Sequence, residues 1–298
     1  MAFKDLKKAT DLSSLLETIT KKDSNTTFEK DTRFYTCEVD KTTGNGSALI
    51  RFLPTPDGDE TPIVKLYTHG FTGPDGKWYI ENCPTTIGET CPVCEDNSIH
   101  WKSKTEKGIQ LARARKRKLS YIANILVLRD KAHPENEGKV FLMKFGKQIH
   151  DKIVAAMNPQ DDDELETPIP AFNPFDMWTG ANFLLKIITK KTGNDKNLNF
   201  EQSKFMAQSE LYDGDDEKLE VVYNSEYKLA PFIDSDNFKP YADLKARFEK
   251  VSAGKTGSPV NIEPVSSQNT GKSLASASIE SSDIDDEIDN IFNQIDGI

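Results

Sequence analysis

Three of the chain's four cysteines, Cys83, Cys91 and Cys94, fall in one short stretch broken by Gly and Pro. Cys91-Pro92-Val93-Cys94 is a C-x2-C pair, a turn that aims two sulfurs at one point. His69 lies fourteen positions before Cys83. One imidazole and three thiolates make a Cys3His donor set, which suits a single tetrahedral, structural Zn2+. Cys37 is the main rival to His69 as the fourth ligand, and His100 is a weaker one. A C-x2-C pair can also be a redox couple or half of a disulfide. The redox couple belongs at a strand-to-helix junction in a βαβ pattern, which the flanking residues do not suggest. A disulfide needs an oxidising compartment. No apolar run approaches the ~20 residues that span a bilayer, and the first residues carry no continuous apolar leader. The expectation is therefore a cytoplasmic protein with no membrane association.

A second constellation is cationic. Between Lys102 and Lys118 stand eight basic residues and one acid, Glu106. The run ends in Arg113, Arg115, Lys116, Arg117 and Lys118, with Tyr121 next and Trp101 just upstream. Lys and Arg neutralise phosphates, while unstacked bases lie on aromatic faces, so this combination suits single-stranded nucleic acid. The bland alternative is a solvated charge run followed by a core tyrosine. The formal net charge of −10 does not oppose a polyanion partner. Seven acids and no Lys or Arg lie from Ser273 to the end, so the acidity is segregated into a tail.

The elements that must hold these residues are short strands. "GSALIRFLP", "IVKLYTHG", "KWYIENC", "SYIANILVLRD" and "GANFLLKIITKK" are rich in β-branched and aromatic residues and are separated by turn residues. "RFYTCEVD" alternates in the same way. "KVFLMKFGKQIHDKIVAAM" reads as a strand passing into a helix near Gly146, and "YADLKARFEKV" as a later helix. The expected fold is mainly β with some α: an OB-fold, a small Greek-key barrel, over residues 23–252. Residues 1–22 form a basic arm with Lys4, Lys7 and Lys8 ahead of a Leu/Ile stripe. Residues 253–298 are a flexible linker and an acidic tail. In that tail Ile284, Ile288, Ile291, Phe292 and Ile295 repeat at helical spacing, a pattern for folding onto a partner's groove.

No Walker loop, G-x-S-x-G or H-E-x-x-H occurs, so the chain reads as a binder and not an enzyme. "GNGSALIRFLP", "HGF…GKWYIE", "CPVC", "KRKLSYIANILV", "PENEGKVF" and "GANFLLK" together resemble the single-stranded-DNA-binding (helix-destabilising) proteins of T-even-type tailed bacteriophages. The resemblance implies an OB-fold core with an inserted zinc subdomain at about residues 65–120, and His69, Cys83, Cys91 and Cys94 as ligands. It implies DNA contacts at Lys116, Arg117, Lys118 and Tyr121, with Phe200 standing where the family has a tyrosine. It implies self-association through the basic arm, giving a cooperative filament on single-stranded DNA. It further implies tail contacts to a phage DNA polymerase, helicase loader, primase-helicase and recombination proteins, in the cytoplasm of the infected host, during replication, recombination and repair. The alternative is a zinc-organised scaffold, or a transcription or replication cofactor, acting through its acidic C-terminal helix.

Overall fold

The computed structural model describes residues 31–159, 170–192 and 195–253. The chain divides into two units, Met1–Arg33 and Phe34–Ile298. Of the first, residues 31–33 are described, where Arg33 pairs with Asp31 at 2.7 Å. The basic arm (Lys4, Lys7, Lys8) and the acidic stripe (Ile284, Ile288, Ile291, Phe292, Ile295) lie outside the described residues.

The second unit is built on an antiparallel sheet of eight strands. These are β1 (Gly46–Phe52), β2 (Ile63–Thr72), β3 (Trp78–Asn82), β4 (Lys118–Asp130), β5 (Val140–Phe145), β6 (Ala181–Thr192), β7 (Asp195–Asn199) and β8 (Lys204–Gln208). The order is β3-β2-β4-β1-β6-β7, with β5 on β4 and β8 on β6. The long β4 organises it, pairing with β2 over Lys118–Ala123, with β5 over Tyr121–Leu126 and with β1 over Ile125–Asp130. Its apolar run is buried on both faces, which is why it lacks the alternation of a half-exposed strand. Tyr121, Ala123, Ile125 and Val127 face a core with Ile50, Phe52, Phe145 and Phe183. Ile122 and Leu126 face two smaller clusters on the other side. Asn124, on that second side, is satisfied by both backbone groups of Tyr227, at 2.8 and 3.0 Å. The sheet curls into a half-barrel. Among the described residues no ladder joins β5 to β6, β7 or β8.

The helices are α1 (Pro92–Lys102), α2 (Glu106–Ala114), α3 (Lys147–Met157), α4 (Asp216–Asn224) and α5 (Tyr241–Ser252). The strand-to-helix change at Gly146 falls as expected, with Ile149 and Ile153 of α3 packed on the half-barrel core. α5 buries Leu244, Phe248 and Val251, an i, i+4, i+7 stripe. "RFYTCEVD" is not a strand: only Phe34 bridges, to Leu142, and residues 35–40 carry no ladder.

One fully buried charge ties the half-barrel together. Arg51 of β1 donates from Nη2 to the carbonyls of Asp176, Met177 and Ser209 at 2.7, 3.3 and 3.1 Å. Its Nη1 donates to Asn182 Oδ1 at 3.3 Å. Burial lowers its pKa to about 10, partly offset by Asp176. A Cβ at Gly180 would crowd this guanidinium and the Asp176 carbonyl, so the loop before β6 can pass only as glycine.

Candidate metal centre and nucleic-acid interface

Past Thr68, β2 leaves β4 and pairs with β3 alone, and this hairpin carries a small lobe. His69 projects from β2. Cys83 follows β3, just ahead of a 3-10 turn over Pro84–Ile87. Cys91 is the N-cap of α1, Pro92 takes the first helical position and Cys94 lies in the first turn. The C-x2-C pair therefore opens a helix and is not an isolated turn.

Nε2 of His69 is 3.5 Å from Cys91 Sγ and 3.3 Å from Cys94 Sγ, and Cys83 Sγ is 3.6 Å from Cys94 Sγ. All four donor atoms lie within 4.8 Å of one another. Metal–sulfur bonds of ~2.3 Å and metal–nitrogen bonds of ~2.0 Å give tetrahedral edges of roughly 3.5 Å, so the set fits one metal ion. Nδ1 of His69 donates to the Arg115 carbonyl at 2.9 Å, which turns the Nε2 lone pair toward the sulfurs. Asn97 donates to the same carbonyl at 2.9 Å. Burial lowers the His69 pKa, but Cys83 and Cys91 outweigh it and raise it to about 9. Hydrogen bonds from Cys91 and Cys94 hold Cys83 far below the usual thiol range, while Cys83 and Cys91 push Cys94 far above it. A cation held by this set would be bound by the deprotonated thiols and the neutral imidazole.

The rival ligands lie elsewhere. Cys37 is half-buried beside Tyr35 and Asp130, with its thiol pushed up to about 11 chiefly by burial. His100 pairs with Asp96 at 3.4 Å.

The lobe has its own core. Phe71 and Tyr79 stack at 4.9 Å, and both meet Phe248 of α5 edge-on at 6.1 Å. Val251 completes the cluster. α5, more than a hundred residues away in sequence, therefore packs into the metal lobe together with residues of the 65–120 stretch. A Cβ at Gly73 would overlap the Val251 carbonyl, so close approach of hairpin and helix requires glycine there.

The basic run divides by role. Arg115 is a structural residue: its guanidinium pairs with Asp96 at 3.1 Å and lies 5.5 and 5.2 Å from the rings of Phe71 and Phe248. Burial lowers its pKa, and its charge is used inside the lobe. Arg117 lies in the open, its guanidinium 4.2 Å from the Tyr67 ring centre and its Nη1 donating to Thr85 Oγ1 at 2.5 Å. Arg113 is exposed at the end of α2, and Lys116 and Lys118 are half-buried. Trp101 is exposed near the end of α1. Phe200 is half-buried against the half-barrel core, where its N–H donates to Gln148 Oε1 at 2.9 Å.

Tyr121 departs from expectation as an exposed platform. Only 5% of it is accessible, because the odd-numbered residues of β4 face the core. Its ring stacks on His150 at 3.9 Å and on Phe145 at 5.8 Å. Lys65 opposes Tyr121 across the β2–β4 ladder, and Tyr67 opposes Leu119. Residues directly opposed in an antiparallel pair share a face. Arg117, Tyr67, Lys65, Tyr121 and His150 therefore form one strip where the core face of the half-barrel runs out to solvent. Burial lowers the His150 pKa, and nearby Lys65 and Lys147 reinforce the shift against Asp151. Lys65, Tyr67 and His150 escape a reading by charge runs, although the K-x-Y alternation in "IVKLYTHG" places the first two on one face.

The family described as gp32 DNA binding protein like matches residues 44–252. The chain belongs to this family. It is 42% identical over 214 residues to a protein of Enterobacteria phage T2 named single-stranded DNA-binding protein. The match covers 70% of this chain and 66% of that protein. The like-named protein of Enterobacteria phage T4 is 41% identical over the same span, with the same coverage of each chain. A third, from Enterobacteria phage RB70, is 43% identical over 83 residues, 26% of this chain and 66% of that one. The matched stretch thus spans just under two thirds of each relative's own length. Among the described residues no helix is long and apolar enough to cross a membrane.

Proposed function

We propose that this chain is a sequence-independent single-stranded-DNA-binding protein of a T-even-type phage, and not an enzyme. The observation that carries the reading is the strip on the half-barrel. Arg117 packed on Tyr67, with Lys65 on the same face of β2, joins phosphate-neutralising cations to an aromatic plane on which a base can stack. The half-barrel is read as the OB-fold of such binders, and the Cys3His set as a closed, structural Zn2+ site that fixes the lobe flanking the strip. The names of the relatives support the same reading.

The wider role follows from that reading. The protein coats and protects single strands during replication, recombination and repair in the cytoplasm of the host. The arm over residues 1–22 mediates cooperative self-association, and the tail beyond residue 253 recruits replication and recombination proteins.

Replacing Lys65 and Arg117 together by Ala should flatten the salt dependence of oligo-dT binding by about 1.4 in log–log slope, at roughly 0.7 per phosphate contact on single strands. Tyr67→Ala should cost about 1–3 kcal/mol, the worth of one stack, and leave the slope unchanged. Fluorescence titrations over a salt series check both. An unaltered slope in the double variant would make the strip an ordinary solvated face.

A further inference from the structure

The β2–β3 hairpin also presents aromatic and cationic groups on the face turned away from that strip. Side chains alternate along a strand, and opposed residues share a face. Trp78 opposes Thr72, Ile80 opposes Gly70, and Thr68 opposes Lys118. These residues share one face, while Tyr67 and Leu119 project from the other. Trp78 is 45% exposed and Ile80 44% exposed, so neither belongs to a core. Gly70 between them leaves the floor without a side chain.

Beyond Thr68, where β4 no longer pairs with β2, the segment after α2 runs alongside instead. A groove of about 430 Å³ opens there, lined by Thr72, Pro74, Trp78, Leu111, Arg113 and Lys116 among others. Its lining holds no carboxylate. Arg115 is matched by Asp96 at 3.1 Å, and the exposed Arg113 adds a further cation to the lining. Lys116 is the immediate neighbour of Arg117, so the groove and the strip meet at this point of the chain.

Resting on the reading above, we propose that this groove is a second single-strand subsite. A nucleobase stacks on the Trp78 indole, and its phosphate lies against Arg113 and Lys116. A strand held along Lys65, Tyr67 and Arg117 then continues over the edge of the hairpin. An exposed indole in a lining that holds cations and no carboxylate favours a nucleotide, which brings both a base to stack and a phosphate to neutralise.

The test uses the full chain loaded with metal, and oligo-dT of about ten nucleotides, within the range one such domain covers. Trp78→Ala should weaken binding about 5- to 150-fold, the equivalent of one lost stack, without altering the salt slope. Trp78→Phe should recover most of the loss. Unchanged metal content and melting temperature in both variants keep the comparison one of binding and not of folding. Affinity within twofold of the parent in Trp78→Ala overturns the subsite. So does a groove that takes an acidic peptide while oligo-dT affinity is unmoved by the substitution. If the parent itself fails to bind oligo-dT, the fault lies in the functional reading and not in this groove.

Discussion

Cys91→Ser is expected to strip the metal and collapse the lobe around it. Cys91 supplies a donor from the N-cap position of α1, and its sulfur lies in a core with Phe71, Tyr79 and Phe248. Binding free energy at a structural metal site is folding free energy, so its loss removes several kcal/mol. At about 2–4 °C per kcal/mol for a domain of this size, the melting temperature should fall by about 10 °C or more. His69→Ala should behave alike, because Nε2 is the fourth donor. Cys37→Ser should keep its metal, since that thiol lies beside Tyr35 and Asp130. Metal analysis together with thermal melts checks all three. Metal lost in Cys37→Ser and retained in His69→Ala would refute the donor set.

Arg51→Met should be nearly as damaging and for an unrelated reason. A buried ion pair can often be replaced by apolar residues when both partners are exchanged. Here the partners are the backbone carbonyls of Asp176, Met177 and Ser209, which no substitution removes. Methionine fills the space of the stem but leaves these acceptors buried without a donor. The expected cost is about 3–5 kcal/mol, read as a lower urea midpoint. The metal content should be unchanged, because Arg51 lies in β1, away from the lobe. A cost below about 1 kcal/mol would mean that water replaces the guanidinium.

Much of this architecture is legible in the residues. The strands of "GSALIRFLP", "IVKLYTHG" and "SYIANILVLRD" declare themselves through β-branched and aromatic content, as does the helix of "YADLKARFEKV" through its spacing. α2 does not, because its buried contacts are Gly108 and Ala112, which leave no apolar period to detect. α1 hides for a similar reason: "PVCEDNSIHWK" is polar, and a proline two residues into a cysteine motif reads as a turn until the helix is seen to start on it. "RFYTCEVD" has the alternation of a strand, yet its pairing with β5 stops at the Phe34–Leu142 bridge and the bond from Tyr35 N–H to the Leu142 carbonyl at 2.8 Å.

The site follows the same division. Spacing identified the Cys83, Cys91 and Cys94 group, yet the choice among His69, Cys37 and His100 needed the course of β2. Charge drew attention to Lys116–Lys118 but could not tell Arg115, consumed by Asp96 and two rings, from Arg117, held open on Tyr67. Tyr121 was visible as an aromatic beside cations, while its burial is a matter of which side of β4 faces the core. Lys65 and Tyr67 share a face by the alternation within "IVKLYTHG", whereas their placement against Tyr121 and Leu119, and that of Trp78 against Thr72, is set by cross-strand register.

The most direct test of the central claim is a salt-dependent titration of the intact protein on oligo-dT and on duplex DNA of equal length. On the single strand, log affinity should fall linearly with log salt, at about −0.7 per phosphate contact. Binding to the duplex should be weaker at every salt concentration, because paired bases offer no faces to Tyr67 and its neighbours. Equal affinity for the two forms, or an affinity for oligo-dT indifferent to salt, would contradict that claim.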